Sequence, residues 1–289
     1  MLYSLFSPEG WAEGWEKRAG VMRANLPGTP DLPEMSQNRF GLPYAPMLPA
    51  VLLAIALLAQ ATGPATHPKA PSRVKGVPLV EVPAAPASGG DEMAVLLTGD
   101  GGWAVTDRGL SEALAKGGIP VVGWNSLRYF LRGKPPDHAA QDLERILRVY
   151  LPLWHKERVV LIGYSFGADV MPFLATRLPP DLAAKVSLVV LMGPSGAADF
   201  RFHPTEWLGK PAKDSLPVLP ELQKLRGKEI LCAYGIGEKD SFCLQVPESV
   251  AHRLTRPGGH IAGENYAPIA DWILHRQDGA SPGSGVGAQ

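Results

Sequence analysis

The sequence is poor in cysteine, in net charge and in long apolar runs. Only two cysteines, Cys232 and Cys243, occur in 289 residues, which excludes a disulfide-dense scaffold and the four-cysteine zinc modules. Lysine plus arginine number 28 against 28 aspartate plus glutamate. That balance leaves no cationic surplus to displace counterions from a phosphate backbone, so it argues against nucleic acid as a partner. A membrane-spanning helix needs roughly 20 apolar residues, and the run at residues 47–59 has only 13 without a polar side chain. What is present suits a folded chain: 45% of residues are hydrophobic, enough for one substantial core. Glycine and proline are dense, at 32 and 29, and many of the prolines fall before residue 90, ahead of the expected working domain.

The apolar run is followed by Ala59-Gln60-Ala61, the small-x-small pattern of a signal-peptidase site, and Arg39 supplies a positive flank. Residues 35–61 therefore read as a signal peptide starting at Met35, with residues 1–34 an upstream extension. An uncleaved anchor or a buried helix is the alternative. Residues 62–76 read as a Pro-rich linker, 77–276 as the folded domain and 277–289 as a flexible tail. Export implies an oxidising compartment, where Cys232 and Cys243 form a disulfide. A zinc site using these cysteines with His252 or His260 is the rival, but its spacing matches no common zinc pattern.

From Val74 the chain alternates short apolar runs with amphipathic ones. Residues 93–97, 119–123, 158–162, 186–192 and 229–234 read as buried strands, and a shorter run at 250–254 as another. Residues 106–116 and 137–150 carry helical periodicity. This alternation predicts an α/β fold, a mainly parallel sheet with helices on both faces. Residues 195–227 break the rhythm with four prolines, just after Pro194, beside Phe200, Phe202 and Trp207, and read as an irregular insertion.

One motif stands in the context its chemistry requires. The run 158–162 leads into Gly163-Tyr164-Ser165-Phe166-Gly167, and helical spacing follows. G-x-S-x-G at a strand-to-helix turn is the nucleophile elbow of α/β-hydrolases, whose glycines relieve crowding around a strained serine. Ser165 at an ordinary helix N-cap is the bland alternative. A serine nucleophile needs a base and an orienting acid, in chain order Ser, acid, His. Asp240 past the 229–234 strand and His260 past Pro257-Gly258-Gly259 fit that order, with Glu238 and Asp199 as rivals for the acid. The oxyanion hole is expected from the N–H of Phe166 and from Asp100 or Gly101 in the loop Thr98-Gly99-Asp100-Gly101-Gly102-Trp103. Arg128, Arg132 and Lys134 beside Tyr129 and Phe130 offer contacts to a lipid phosphate, and Asp100 or Asp169 to an ammonium. No metal or cofactor is called for.

Three segments, LTGDGGW, VVGWNSLRYF with GYSFGADVMPF, and CAYGIGEKDSFC followed by PGGH, resemble the VirJ family of bacterial virulence proteins, which takes in the C-terminal half of AcvB. The resemblance spans roughly residues 77–275. It implies a periplasmic α/β-hydrolase domain with Ser165, Asp240 and His260 as the triad. It also implies hydrolysis of aminoacylated phosphatidylglycerol, chiefly the lysyl form, at a membrane surface, and for some members a link to type IV secretion components. The alternatives are a non-catalytic accessory protein of such a secretion system and a serine esterase acting on another ester.

Overall fold

The computed structural model describes residues 73–85, 90–201, 214–260 and 266–276. The signal peptide, Phe202, Trp207 and the tail lie outside these residues. Val74 is buried in the core, and its carbonyl accepts from Val77 N at 3.1 Å.

The expected apolar runs form the centre of a seven-stranded sheet. In chain order its strands are β1 (Leu79–Val82), β2 (Glu92–Leu97), β3 (Val121–Trp124), β4 (Arg158–Tyr164), β5 (Val186–Met192), β8 (Glu229–Gly235) and β9 (His252–Arg256). Their spatial order is β1-β3-β2-β4-β5-β8-β9, and every pairing is parallel except that of β1 with β3. A small antiparallel pair, β6 (Ala197–Ala198) and β7 (Leu216–Pro217), stands apart from it, in the segment read as irregular.

Because strand side chains alternate between faces, each apolar run feeds two cores. Met93, Val95, Leu97, Val159, Leu161, Val189 and Leu191 point to one face. There they meet α3 (Pro136–Leu153), α4 (Phe166–Ala175) and α6 (Val218–Lys224) through Leu143, Ile146, Leu147, Val170, Met171 and Leu222. Ala94, Leu96, Val160, Ile162, Val190 and Met192 point to the other, against Leu110 and Leu114 of α1 (Val105–Lys116) and Ile269 and Ile273 of α7 (Ala267–His275). Two short helices, α2 (Ser126–Phe130) and α5 (Pro180–Ala183), complete the described set.

Local signals set the helix limits. Pro136 opens α3 where its missing N–H costs nothing. At the start of α1, Asp107 reaches back to accept from Ala104 N at 2.9 Å, and Ala104 takes the cap position. Gly117 and Gly118, the latter at φ +96°, end that helix. In parallel strands all carboxyl ends share one edge. The loops after β2, β4, β5, β8 and β9 therefore converge there, where such folds place their sites.

Candidate active site

Ser165 stands at the turn from β4 into α4 with φ 51° and ψ −116°. A non-glycine residue at this φ stores roughly 1–3 kcal/mol of strain, which the surrounding structure must hold. The two glycines of the motif make the turn possible. A Cβ on Gly163 would lie 2.2 Å from Gly167 O, and one on Gly167 would lie 2.2 Å from Leu97 O. Ser165 is further fixed by its N–H, which donates to Met192 O at 2.8 Å.

Ser165 Oγ lies 2.9 Å from His260 Nε2, and His260 Nδ1 lies 3.0 Å from Glu238 Oε1. A carboxylate at Nδ1 selects the tautomer in which Nδ1–H donates to Glu238 and Nε2 accepts from the serine. The carboxylate on the imidazole is thus Glu238, where Asp240 was expected. The reason is the turn: Glu238 N donates to Gly235 O at 2.9 Å and Gly235 N donates to Glu238 Oε2 at 2.5 Å. This points the Glu238 side chain inward, toward the end of β8. Asp240, two residues on, is exposed and takes no part in the hydrogen bonds of the described residues. Asp199, the other rival, accepts from Arg201 N at 3.1 Å.

Loops from three strands hold this row of groups. Ile236 N donates to Arg256 O at 2.9 Å and Gly237 N to Gly258 O at 3.2 Å, which joins the loop carrying Glu238 to the one carrying His260. Cys232 and Cys243 form a disulfide with a Cα–Cα distance of 5.6 Å, closing the segment that contains Glu238. Both sulfurs are therefore engaged and unavailable to zinc. From the β5 side, Gly193 lies so near the imidazole that a Cβ there would sit 3.0 Å from His260 Cε1 and Nδ1.

The loop after β2 reaches the elbow through Gly99, where a Cβ would lie 3.3 Å from Ser165 Cβ. Ser126 fixes this loop, a role the sequence reading missed. Its Oγ donates to Gly99 O at 2.5 Å and its N–H donates to Thr98 Oγ1 at 3.0 Å. Gly102 N donates to the same Gly99 carbonyl at 3.0 Å. With that carbonyl turned toward Ser126 and Gly102, planarity of the peptide directs the Asp100 N–H the opposite way. Gly101 is exposed, with nothing within 4 Å of where a Cβ would sit.

Two of the expected substrate contacts are overturned. Tyr129 is buried at 4% exposure; its hydroxyl donates to Asp142 at 2.5 Å, and its ring packs edge-on against Trp124 and Phe130. It belongs to the core. Asp169 lies on the first turn of α4, but its carboxylate accepts from Ser195 N, Ser195 Oγ and Gly196 N at 2.8–2.9 Å. Those bonds clamp the loop after β5, and the residue is buried at 6% exposure, away from a substrate ammonium. Burial pushes the Asp169 carboxyl up to about 7 against the pull of these donors. Arg128 and Asp100 remain exposed. Phe166, next to the serine, packs its ring 5.2 Å from that of Phe130.

Among solved structures, the chain is similar to Est1E from Butyrivibrio proteoclasticus, with TM-score 0.50 and 12% identity over 71% of this chain and 94% of that one. An esterase from Pyrococcus furiosus matches with TM-score 0.48 and 16% identity over 70% and 88% of the two chains. A putative dienelactone hydrolase from Klebsiella pneumoniae matches with TM-score 0.49 and 12% identity over 69% and 91%. At 12% identity the likeness to Est1E is one of fold, and with the mainly parallel seven-stranded sheet and the elbow after β4 the fold is that of the α/β-hydrolases. No curated protein sequence matches the chain. The family model described as bacterial virulence protein (VirJ) matches residues 91–280, a span that holds the elbow, Glu238, the disulfide and His260, and the chain belongs to that family.

Proposed function

We propose that this protein is a serine esterase. The observation that carries the reading is the continuous row from Ser165 Oγ through His260 to Glu238 at 2.9 and 3.0 Å, set on a strained elbow. His260 Nε2 takes the hydroxyl proton as Ser165 Oγ attacks the ester carbonyl, and Glu238 stabilises the imidazolium that forms. The N–H groups of Phe166 and Asp100 receive the oxyanion. Collapse of the tetrahedral adduct transfers the proton from His260 to the leaving alcohol and leaves an acyl-Ser165 ester. Water, deprotonated by the same imidazole, then releases the acid.

The substrate in this proposal is the aminoacyl ester of lysyl-phosphatidylglycerol, a choice that rests on the family. Lysine is transferred to Ser165 and then to water, and phosphatidylglycerol leaves as the alcohol. Asp100, exposed beside the elbow, is the carboxylate that meets the substrate ammonium, since Asp169 is buried and engaged. Arg128 is exposed on α2 and is suited to the lipid phosphate. The Cys232–Cys243 disulfide fits an oxidising periplasm reached through the signal peptide.

A fluorophosphonate probe tests the chemistry without the lipid. Wild-type protein should be labelled at Ser165 and Ser165→Ala should not. A folded wild-type protein that stays unlabelled would instead favour a binding role in a secretion system.

A further inference from the structure

Edge strand β9 exposes most of its side chains and ends on one that is buried, Arg256, at 4% exposure. Burying a guanidinium is costly unless it is paired, and no carboxylate within salt-bridge reach of Arg256 occurs among the described residues. Its Nε has no hydrogen-bond partner among the described residues. Its Nη2 has one, donating to the backbone oxygen of His260 at 3.0 Å. The same oxygen accepts from the Tyr164 hydroxyl at 3.2 Å. Tyr164 is the residue before the serine, and its ring lies 6.4 Å from the His260 ring, tilted by only 21°. Burial raises the Tyr164 pKa, which keeps its hydroxyl protonated as a donor.

We infer that Arg256 and Tyr164 are a pair of positioning residues that fix His260 by its main-chain carbonyl. The inference rests on the reading of Ser165 and His260 as nucleophile and base. Its physical ground is that His260 follows Pro257-Gly258-Gly259, with Gly258 at φ +92°. Such a segment does not restrain the histidine through its own side chains. Glu238 holds one ring nitrogen and Ser165 the other, but both bonds act on the ring and neither restrains the backbone that carries it. Two donors on the carbonyl fix the backbone from which the ring hangs. One comes from the elbow and the other from β9, so the base is registered directly against the nucleophile.

The test uses the full chain and a soluble activated ester, p-nitrophenyl acetate. Arg256→Met should lower kcat about ten- to a hundredfold while KM moves less than about twofold, because a base held less precisely fails in the transition state and not in binding. Arg256→Lys, which restores a donor, should recover part of kcat. Tyr164→Phe, which removes the other donor, should lower kcat with KM again little changed. A folded Arg256→Met protein with wild-type kcat would overturn the inference and leave the Ser165 reading intact. If Arg256→Met does not fold, Tyr164→Phe decides, and a kcat within twofold of wild type overturns it. Wild-type turnover that survives Ser165→Ala would overturn the underlying reading, and this inference with it.

Discussion

Glu238 holds Nδ1 of His260 at 3.0 Å while its other oxygen accepts from Gly235 N. Glu238→Gln should keep the turn but lose the charge that stabilises the imidazolium, lowering kcat by about three to four powers of ten. Asp240→Asn, two residues on, should leave the rate within about twofold of wild type. Steady-state kinetics on both variants decides between the two carboxylates. The loop was legible in the sequence but its acid was not, because Glu238 and Asp240 differ only in how the chain turns after Gly235. One signal was present, the spacing of Gly235 and Glu238, which lets a carboxylate reach back to an N–H three residues earlier. Asp169 was misread for a similar reason. Its place one turn into α4 faces the site region, yet nothing in the sequence announces Ser195 and Gly196 as its partners.

That clamp has a consequence for stability. With its carboxyl raised to about 7 by burial, Asp169 retains in the folded state a proton that the unfolded chain releases near pH 4. Folding stability from this group is therefore full below about pH 4 and is lost as pH rises through about 7. Asp107, raised to about 6 by burial, adds to the same slope. Asp169→Asn keeps an acceptor for Ser195 N and Gly196 N and removes the charge. The melting temperature of the variant should fall less between about pH 5 and pH 8 than that of wild type. Parallel curves would contradict the assignment.

At the scale of elements, the central strands were legible because they are continuous apolar runs, and both faces of β2, β4 and β5 are buried. Strand β1 was not, since a four-residue antiparallel edge strand with a half-exposed pattern carries little signal beside prolines. The loop from β8 to β9 is held at two places. Its backbone pairs with the turn before His260, and the Cys232–Cys243 disulfide closes it over a separation of 11 residues. Closing a loop of this length stabilises by about 3 kcal/mol in the chain-entropy model. The double variant Cys232→Ala and Cys243→Ala should lose about that much in chemical denaturation. It should also lose activity at temperatures where it remains folded, because Glu238 lies within the closed segment. Unchanged stability in the double variant would mean that the disulfide does not brace the acid loop.

For the whole molecule, the family and the fold fix the architecture, a parallel sheet whose loops gather at one edge around Ser165. The sequence carried this level well, since alternation of strand and helix together with G-x-S-x-G at a strand end leaves few other topologies. The proposed substrate contacts, the exposed Asp100 and Arg128, are spelled out by no motif. The central claim is that Ser165 cleaves the aminoacyl ester and spares the fatty-acyl esters of the lipid. The most direct measurement incubates the full chain and its Ser165→Ala variant with lysyl-phosphatidylglycerol in detergent micelles, and quantifies free lysine and free fatty acid together. The account predicts lysine and intact phosphatidylglycerol in equal amounts from wild type, and neither from Ser165→Ala. Release of fatty acid without lysine, or equal lysine release by the variant, would contradict it.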